Sequence, residues 1–322
     1  MTFAVLVPQA VDEAGLRDLR AAGLAVVEAP DTDPATLRSL IGNCQGVLFR
    51  NVALPAELLR AAPDLRVVSR HGVGLDNLDL AYCRQAGIQV TYTPQANATA
   101  VAEHTIALML AIAKDLRAAD SAVRRGDFGA RDRQFGIELA GLTLGVVGLG
   151  RTGREVARRA VFGLDMRVVG TSSSATDAAA PPGVRLVALD ELLATADVVS
   201  LHVPLTPDTR SLIGSGELAT MKADLLVNCS RGGVVDEAAL VDALRRGVLR
   251  SAALDVFEEE PLPAGHPLTR LENVVLTPHV AAHTAQSLAR MAVHAAQGII
   301  AVAHGQQPEW PFPDPTSAAG RP

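Results

Sequence analysis

Three closely spaced glycines are the part of this chain whose residue types and spacing point most directly to chemistry. Leu144-Gly145-Val146-Val147 is an apolar run with the length of a buried strand, and it leads straight into Gly148-Leu149-Gly150-Arg151-Thr152-Gly153. Val156, Ala157, Ala160 and Val161 then share one helical face, and a second apolar run covers Met166 to Val169. Strand, glycine turn, helix and strand within about 30 residues form the setting that a dinucleotide-binding fingerprint requires. The first glycine permits the tight turn, the second lets a pyrophosphate approach the backbone, and the third lets helix and strand pack closely. Free N–H groups and the positive end of the helix then face the phosphates. A lone GxGxxG also fits an ordinary glycine-rich turn; the βαβ setting is what favours a cofactor site.

Composition bounds what surrounds this turn. The 322 residues are long enough for two domains with substantial cores, and 48% hydrophobic with 20% charged residues is a soluble, globular balance. A net charge of −6 and a pI near 5.8 provide no basic field for nucleic acid. Cys44, Cys83 and Cys229 have no CxxC spacing and suit a reducing compartment. The N-terminus lacks a basic n-region, and the most hydrophobic helix, near 98–113, is interrupted by Glu103 and His104. The expectation is a cytoplasmic protein that neither binds nucleic acid nor enters a membrane. His279 and His283 are four apart, but a loop–helix boundary between them argues against a metal pair, and no metal site is expected.

The elements that must position the turn alternate along the chain. Apolar runs at Phe3–Val7, Leu24–Val27, Gly46–Phe49, Leu65–Val68 and Ile88–Val90 read as strands, with amphipathic helices at Asp12–Ala22, Pro34–Ile41, Pro55–Ala62 and Asn77–Ala86 between them. Pro34 and Pro55 fall where first-turn prolines belong. Repeated βα units imply a parallel sheet with right-handed crossovers. After Thr93–Asn97 a long helix is expected from about Ala98 to Arg125, ending at Gly126, and 127–142 reads as an exposed arm. A second α/β domain starts at Thr143, with strands near 197–201, 225–228, 251–254 and 273–276. Thr171–Pro182 is a small Ser/Ala/Pro loop, and a last helix is expected over about 284–303. The Pro-rich tail from Pro308 is not expected to be ordered throughout.

Beyond the glycine turn, SRHGVGLDNLD (69–79), VAEHTIALML (101–110), LHVPLTPDTRSLIG (201–214), NCSRGGVVDEAAL (228–240), ALDVFEEEPLP (253–263) and TPHVAAHT (277–284) resemble the D-2-hydroxyacid dehydrogenase family in order and over nearly the whole chain. That family includes phosphoglycerate dehydrogenases and glyoxylate/hydroxypyruvate reductases. The resemblance implies an α/β fold of two Rossmann-like or flavodoxin-like parallel-sheet domains separated by an active-site cleft. A substrate domain would come from residues 1–98 plus 285–322, with a dinucleotide-binding domain, 99–284, inserted. A homodimer built partly from the long helix and the arm is also implied.

Reducing a 2-oxo acid needs a hydride donor, a proton donor for the carbonyl oxygen and a cation for the carboxylate. The resemblance assigns the proton to His279, its carboxylate partner to Glu260, and the substrate carboxylate to Arg231. Taken singly, His279 reads as a loop histidine, Arg231 as a strand-end arginine, and Glu260 as one of three acids in a solvated run, Glu258–Glu260. The same resemblance places a carboxylate cradle at Gly72, Val73 and Gly74 and a substrate-reaching arginine at Arg50, which reads equally well as a surface residue. It places the cofactor on Gly148, Leu149, Gly150, Arg151, Thr152, Gly153, Thr171, Ser172, Ser173, His202, Val203, Pro204, Cys229, Asp255 and Thr99. Asp255 matches the residue that binds the nicotinamide carboxamide. Asn97 falls near the hinge, and His104 reads as a packing or hinge residue.

One departure concerns the cofactor. NAD sites usually carry Asp or Glu at the end of the second strand for the ribose hydroxyls, and here Ser172 stands in that position. No carboxylate is left to repel a 2′-phosphate, although no arginine follows before Arg185. The expectation is an NAD(P)-dependent enzyme that accepts NADP, with a preference for it left open. A nucleotide-sensing corepressor of the same fold stays as the alternative, since animal C-terminal binding proteins share similar motifs.

Overall fold

A computed structural model describes residues 2–133, 136–172 and 180–312, and divides the chain into two compact units, Met1–Asn97 with His283–Pro322, and Ala98–Ala282. The first unit opens with β1 (Ala4–Val7), α1 (Glu13–Ala21), β2 (Ala25–Glu28), α2 (Pro34–Ile41), β3 (Gly46–Phe49), α3 (Ala56–Leu59), β4 (Val67–Arg70), α4 (Leu80–Gln85) and β5 (Gln89–Thr91). The strands pair in parallel in the order β2-β1-β3-β4-β5. Gly46–Phe49 is buried at every position, as expected where helices cover both faces of a parallel sheet. Asp12, Asp33 and Asp79 cap α1, α2 and α4 by accepting early backbone N–H groups. Pro34 occupies the first turn of α2, whereas Pro55 is the residue before α3 and not, as expected, inside it.

The second unit contains α5 (Ala98–Ala113), α6 (Leu116–Arg124), β6 (Thr143–Val147), α7 (Arg151–Gly163), β7 (Arg167–Thr171), β8 (Val184–Leu186), α8 (Leu189–Thr195) and β9 (Val198–Leu201). It continues through α9 (Ser215–Thr220), β10 (Leu225–Asn228), α10 (Glu237–Arg245), β11 (Ser251–Leu254) and β12 (Val274–Leu276). All its strands are parallel, in the order β12-β11-β10-β9-β6-β7-β8. The order reverses direction between β6 and β9, the switch point beside which doubly wound sheets bind ligands at their carboxyl ends. The chain then returns to the first unit as α11 (Ala285–Ala303), which buries Met291, Ala292, Ala295 and Ile299. The buried Ser69 hydroxyl of β4 donates to the Ala295 carbonyl at 2.9 Å.

The structure corrects two of these expectations, the long helix and the exposed arm, and adds detail at the loop and the tail. The single helix over Ala98–Arg125 is two helices, because Asp115 adopts a left-handed conformation (φ 51°, ψ 42°) and the Ala113 carbonyl accepts the Ile137 N–H at 2.8 Å. That carbonyl would otherwise accept the amide one turn on. The arm after Gly126 is only partly exposed: Phe128 is open to solvent, whereas Ala130 and Leu139 are buried. Within the Thr171–Pro182 loop, residues 173–179, and therefore Ser173, lie outside the described residues, and the edge strand β8 beyond it was not anticipated. In the tail, Pro311 pairs antiparallel with Thr91, and the Phe312 N–H donates to the Val90 carbonyl at 2.8 Å.

Candidate active site

The glycine turn lies between β6 and α7, beside the switch point of the second unit. Gly148 has φ +99°, and a β-carbon there would sit 2.6 Å from the His202 carbonyl oxygen. A β-carbon on Gly153 would sit 1.9 Å from the Gly148 carbonyl oxygen. Neither position tolerates a side chain without moving backbone. Gly150 precedes α7 without a side-chain cap, so the first helical amides, at Arg151, Thr152 and Gly153, face outward at the positive end of a 13-residue helix. This donor set fits a pyrophosphate. Leu149 is 3% exposed and packs against Gly170, so only its backbone faces the turn. Arg154 Nε donates to the Leu149 carbonyl at 2.9 Å, which braces the turn from inside α7.

The remaining groups of this unit come from neighbouring strand ends. His202, Val203 and Pro204 follow β9, Cys229 and Arg231 follow β10, Asp255 follows β11 and His279 follows β12. The sheet order β12-β11-β10-β9-β6 therefore gathers residues far apart in sequence. Thr171 ends β7, with Ser172 beside it, and Thr99 lies exposed in the first turn of α5. His202 is held by Ser200 Oγ at 2.8 Å from its Nε2, and burial lowers it to about 4, so the ring is neutral. Burial raises the Cys229 thiol to about 12, which leaves it unreactive near neutral pH.

His279 Nδ1 and Glu260 Oε2 are 2.7 Å apart. The other Glu260 oxygen accepts the Phe257 N–H at 3.1 Å. Burial works to raise Glu260, but the His279 hydrogen bond and charge, the Phe257 amide and the Arg231 charge together bring it below the usual carboxylate range. Glu260 therefore stays an acceptor near neutral pH, and His279 Nδ1 must carry the proton between them, leaving Nε2 for other partners. Among the three acids of the run, Glu258 turns instead to the Glu237 N–H. The Arg231 guanidinium, half-buried, donates to the Ser230 carbonyl at 2.7 Å, and Asn228 Nδ2 donates to the Arg231 carbonyl at 2.9 Å.

Asp255 is fully buried. One carboxylate oxygen accepts the Thr277 hydroxyl at 2.6 Å and the Val280 N–H at 2.9 Å, and the other accepts the Ala281 N–H at 2.9 Å. Its own carbonyl accepts the His279 N–H at 2.8 Å. Burial acts to raise this group, but bonds from His104, Thr277, Val280 and Ala281 outweigh it and hold it below the ordinary range. Here the carboxylate faces its own loop, gripping residues on both sides of His279, whose backbone is left-handed at φ 53°. His104 joins this network, 3.1 Å from Thr277 Oγ1 and 3.5 Å from Asp255. Sequence reasoning missed the staple around His279, because no pattern ties positions 104, 255 and 277 together.

In the first unit, Arg50 follows β3, and its guanidinium donates to the Ala10 carbonyl at 3.0 Å. Gly72 has φ +138°, and its N–H, one of the amides expected to form the cradle, already donates to Thr93 Oγ1 at 3.0 Å. Arg70, at the end of β4, donates from Nε to the Gly74 carbonyl at 2.7 Å and was not singled out from sequence. His71 is buried with Nε2 3.2 Å from the Leu288 carbonyl, and burial, followed by the Arg50 charge, lowers it to about 4. Among the described residues no His/Cys/Asp/Glu group could hold a metal ion, and no helix is long and apolar enough to cross a membrane.

With this architecture in place, residues 106–281 match the model of the D-isomer specific 2-hydroxyacid dehydrogenase NAD binding domain. The chain belongs to that family. It is 39% identical over 313 residues to the glyoxylate reductase of Thermofilum pendens, covering 94% of this chain and 92% of that enzyme. It is 40% identical over 304 residues to the D-3-phosphoglycerate dehydrogenase of Archaeoglobus fulgidus, covering 94% of this chain but only 57% of that one. The chain thus spans little more than half the length of the second relative. A crystal structure of a Thermus thermophilus protein superposes with a TM-score of 0.89 at 39% identity, covering 97% of this chain and 100% of that chain. A glyoxylate reductase from Paecilomyes thermophila gives 0.87 at 28% identity, covering 97% and 98%. The two glyoxylate reductases and the phosphoglycerate dehydrogenase are named for enzymes, which does not favour the corepressor alternative.

Proposed function

We propose that this chain is an NAD(P)-dependent reductase of small 2-oxo acids that works reversibly on D-2-hydroxy acids. The observation that carries the reading is the 2.7 Å His279–Glu260 pair, set on strand ends of the unit that bears the dinucleotide turn. The bound nicotinamide supplies or accepts the hydride. The Gly148–Gly153 backbone holds the pyrophosphate, and Thr99, Thr171, Ser172, Ser173, His202, Val203, Pro204 and Cys229 are assigned to the rest of the cofactor. Asp255, whose carboxylate is taken up by its own loop, is assigned to holding the segment that carries His279. Arg231 binds the substrate carboxylate through its planar fork and polarises the carbonyl. His279 Nε2 donates a proton to the carbonyl oxygen in reduction and removes it from the hydroxyl in oxidation. Glu260 fixes the tautomer and supplies the counter-charge when the ring is protonated. Arg50 and the amides of Val73 and Gly74 in the Gly72-Val73-Gly74 turn are assigned to the substrate.

Glyoxylate, hydroxypyruvate or a related acid is the proposed substrate, supported by the match over nearly the full length of a glyoxylate reductase. The test is to mix the protein with NADPH or NADH and a panel of 2-oxo acids and follow nicotinamide absorbance. Turnover that His279→Ala abolishes supports the enzyme; tight cofactor binding without turnover on any acid overturns it in favour of a nucleotide sensor.

Ser172 in place of an acid supports acceptance of NADP. A kcat/KM preference for NADH above about tenfold would defeat this. A homodimer is supported by Leu116, Val123 and Phe128, which stand 52%, 61% and 69% exposed on α6 and the turn after it. Sedimentation of Val123→Glu/Phe128→Glu as a monomer and of the parent protein as a dimer would support that assignment; a monomeric parent removes it. Three free cysteines suit a reducing, cytoplasmic setting.

A further inference from the structure

Behind the His279–Glu260 pair stands a second carboxylate–imidazole pair to which the proposed reaction gives no role. Glu237, the first residue of α10, is 7% exposed. One of its carboxylate oxygens accepts the Glu258 backbone N–H at 2.6 Å, and the Glu258 carboxylate accepts the Glu237 N–H at 3.1 Å. The other Glu237 oxygen lies 3.3 Å from His266 Nε2. His266 Nδ1 accepts the Leu268 N–H, so the ring proton sits on Nε2 and is directed to Glu237.

These bonds hold the segment that carries Glu260. Phe257 is tied through its N–H to the Glu260 carboxylate, and Glu258 is tied through its N–H to Glu237. On the other side, a β-carbon at Gly232 would lie 1.8 Å from the Phe257 carbonyl carbon. Gly232 directly follows Arg231, so the arginine turn and the glutamate loop meet backbone to backbone. Glu237 begins the helix that follows that turn and reaches across to the same loop. A carboxylate buried beside Glu258 and Glu260 is costly to keep, which is unusual without a role.

Resting on the function proposed above, we propose that Glu237 is a positioning residue: it clamps the Phe257–Glu260 loop to the Arg231 turn so that Glu260 meets His279. It touches neither substrate nor cofactor; its effect passes through Glu260.

The test is a double-mutant cycle in the full-length enzyme, read as kcat and KM for glyoxylate and as NADH affinity. Glu237→Ala removes the acceptor for the Glu258 N–H, while Glu237→Gln keeps one. The alanine variant should lose about tenfold or more in kcat with NADH affinity unchanged, and the glutamine variant should recover most of that loss. In a Glu260→Gln background the Glu237→Ala loss should largely vanish, because the group it positions is already disabled. If the alanine variant does not fold, Glu237→Asp, which withdraws the acceptor by one methylene, is read in the same cycle. Losses that multiply with Glu260→Gln, or a kcat equal to the parent in all Glu237 variants, overturn the proposal. Failure of the unmodified enzyme to reduce any 2-oxo acid would instead remove the proposed function, and the two failures are separate readouts.

Discussion

Glu260→Gln tests the link between the observed pair and the proposed chemistry. Glutamine nearly preserves the shape and can still accept one hydrogen bond, but it removes the negative charge 2.7 Å from His279 Nδ1. A hydrogen bond between charged groups contributes about 1.5–3 kcal/mol. Here the side chains are 50% and 37% exposed, so solvent screening favours the lower part of that range, about 1.5–2 kcal/mol. Since about 1.4 kcal/mol is a factor of ten, kcat/KM for reduction should fall roughly 10- to 30-fold. The assay is glyoxylate reduction at saturating cofactor, followed by nicotinamide absorbance across pH. The sign of the acid limb follows from the lowered Glu260. A depressed carboxylate keeps its charge through the ordinary range and loses it only as pH falls through the depressed value. The parent rate should therefore persist below the ordinary Glu value of about 4.3, and the limb arising from Glu260 should be missing in the variant. A variant within about twofold of the parent at every pH would refute the role given to this pair.

Other expectations follow from named contacts. Gly153→Ala places a β-carbon 1.9 Å from the Gly148 carbonyl oxygen, so NADH affinity measured by fluorescence titration should weaken at least about tenfold; unchanged affinity would show that the turn does not hold the pyrophosphate. Asp255→Asn cannot accept all three donors from Thr277, Val280 and Ala281, and should cost about 1–3 kcal/mol in denaturant melts. Because Asp255 is held below the ordinary carboxylate range, its stabilisation should be present above about pH 4 and be lost as pH falls through the lowered value, a slope the asparagine variant should lack. Asp115→Gly relieves a left-handed backbone and should stabilise the protein by about 0.5 kcal/mol in a urea melt; a loss of stability would show that the aspartate is not strained there.

The parallel core was legible because its strands are continuous apolar runs: Gly46–Phe49 and Leu225–Asn228 are buried at every position. The edge strand β8, Val184–Leu186, was not, since only three residues pair and Arg185 faces solvent. The break at Asp115 was hidden because a distant amide, that of Ile137, causes it. At the candidate site, the glycine turn reads locally because sterics at Gly148 and Gly153 admit no other residue type. The acidic run does not: three consecutive glutamates look alike until contacts sort them, Glu258 to Glu237 and Glu260 to His279. Glu237 was invisible for the same reason, its partners Glu258 and His266 lying in a later loop. His104, read as a packing or hinge residue, gave no sign of its contacts with Thr277 and Asp255.

Arg231, Asp255 and His279 each stand just beyond the last rung of three adjacent strands, β10, β11 and β12. Their mutual distances are therefore set by ladder spacing, about 4.8 Å from strand to strand, rather than by the length of the connections. Lineages can lengthen α10 or the crossovers on the opposite rim while leaving these three groups in tune. A single-residue deletion inside Val274–Leu276 has the opposite consequence, because it turns alternate side chains to the wrong face and rotates the histidine away. Such an enzyme is free to drift at its periphery and intolerant of slippage in three short segments.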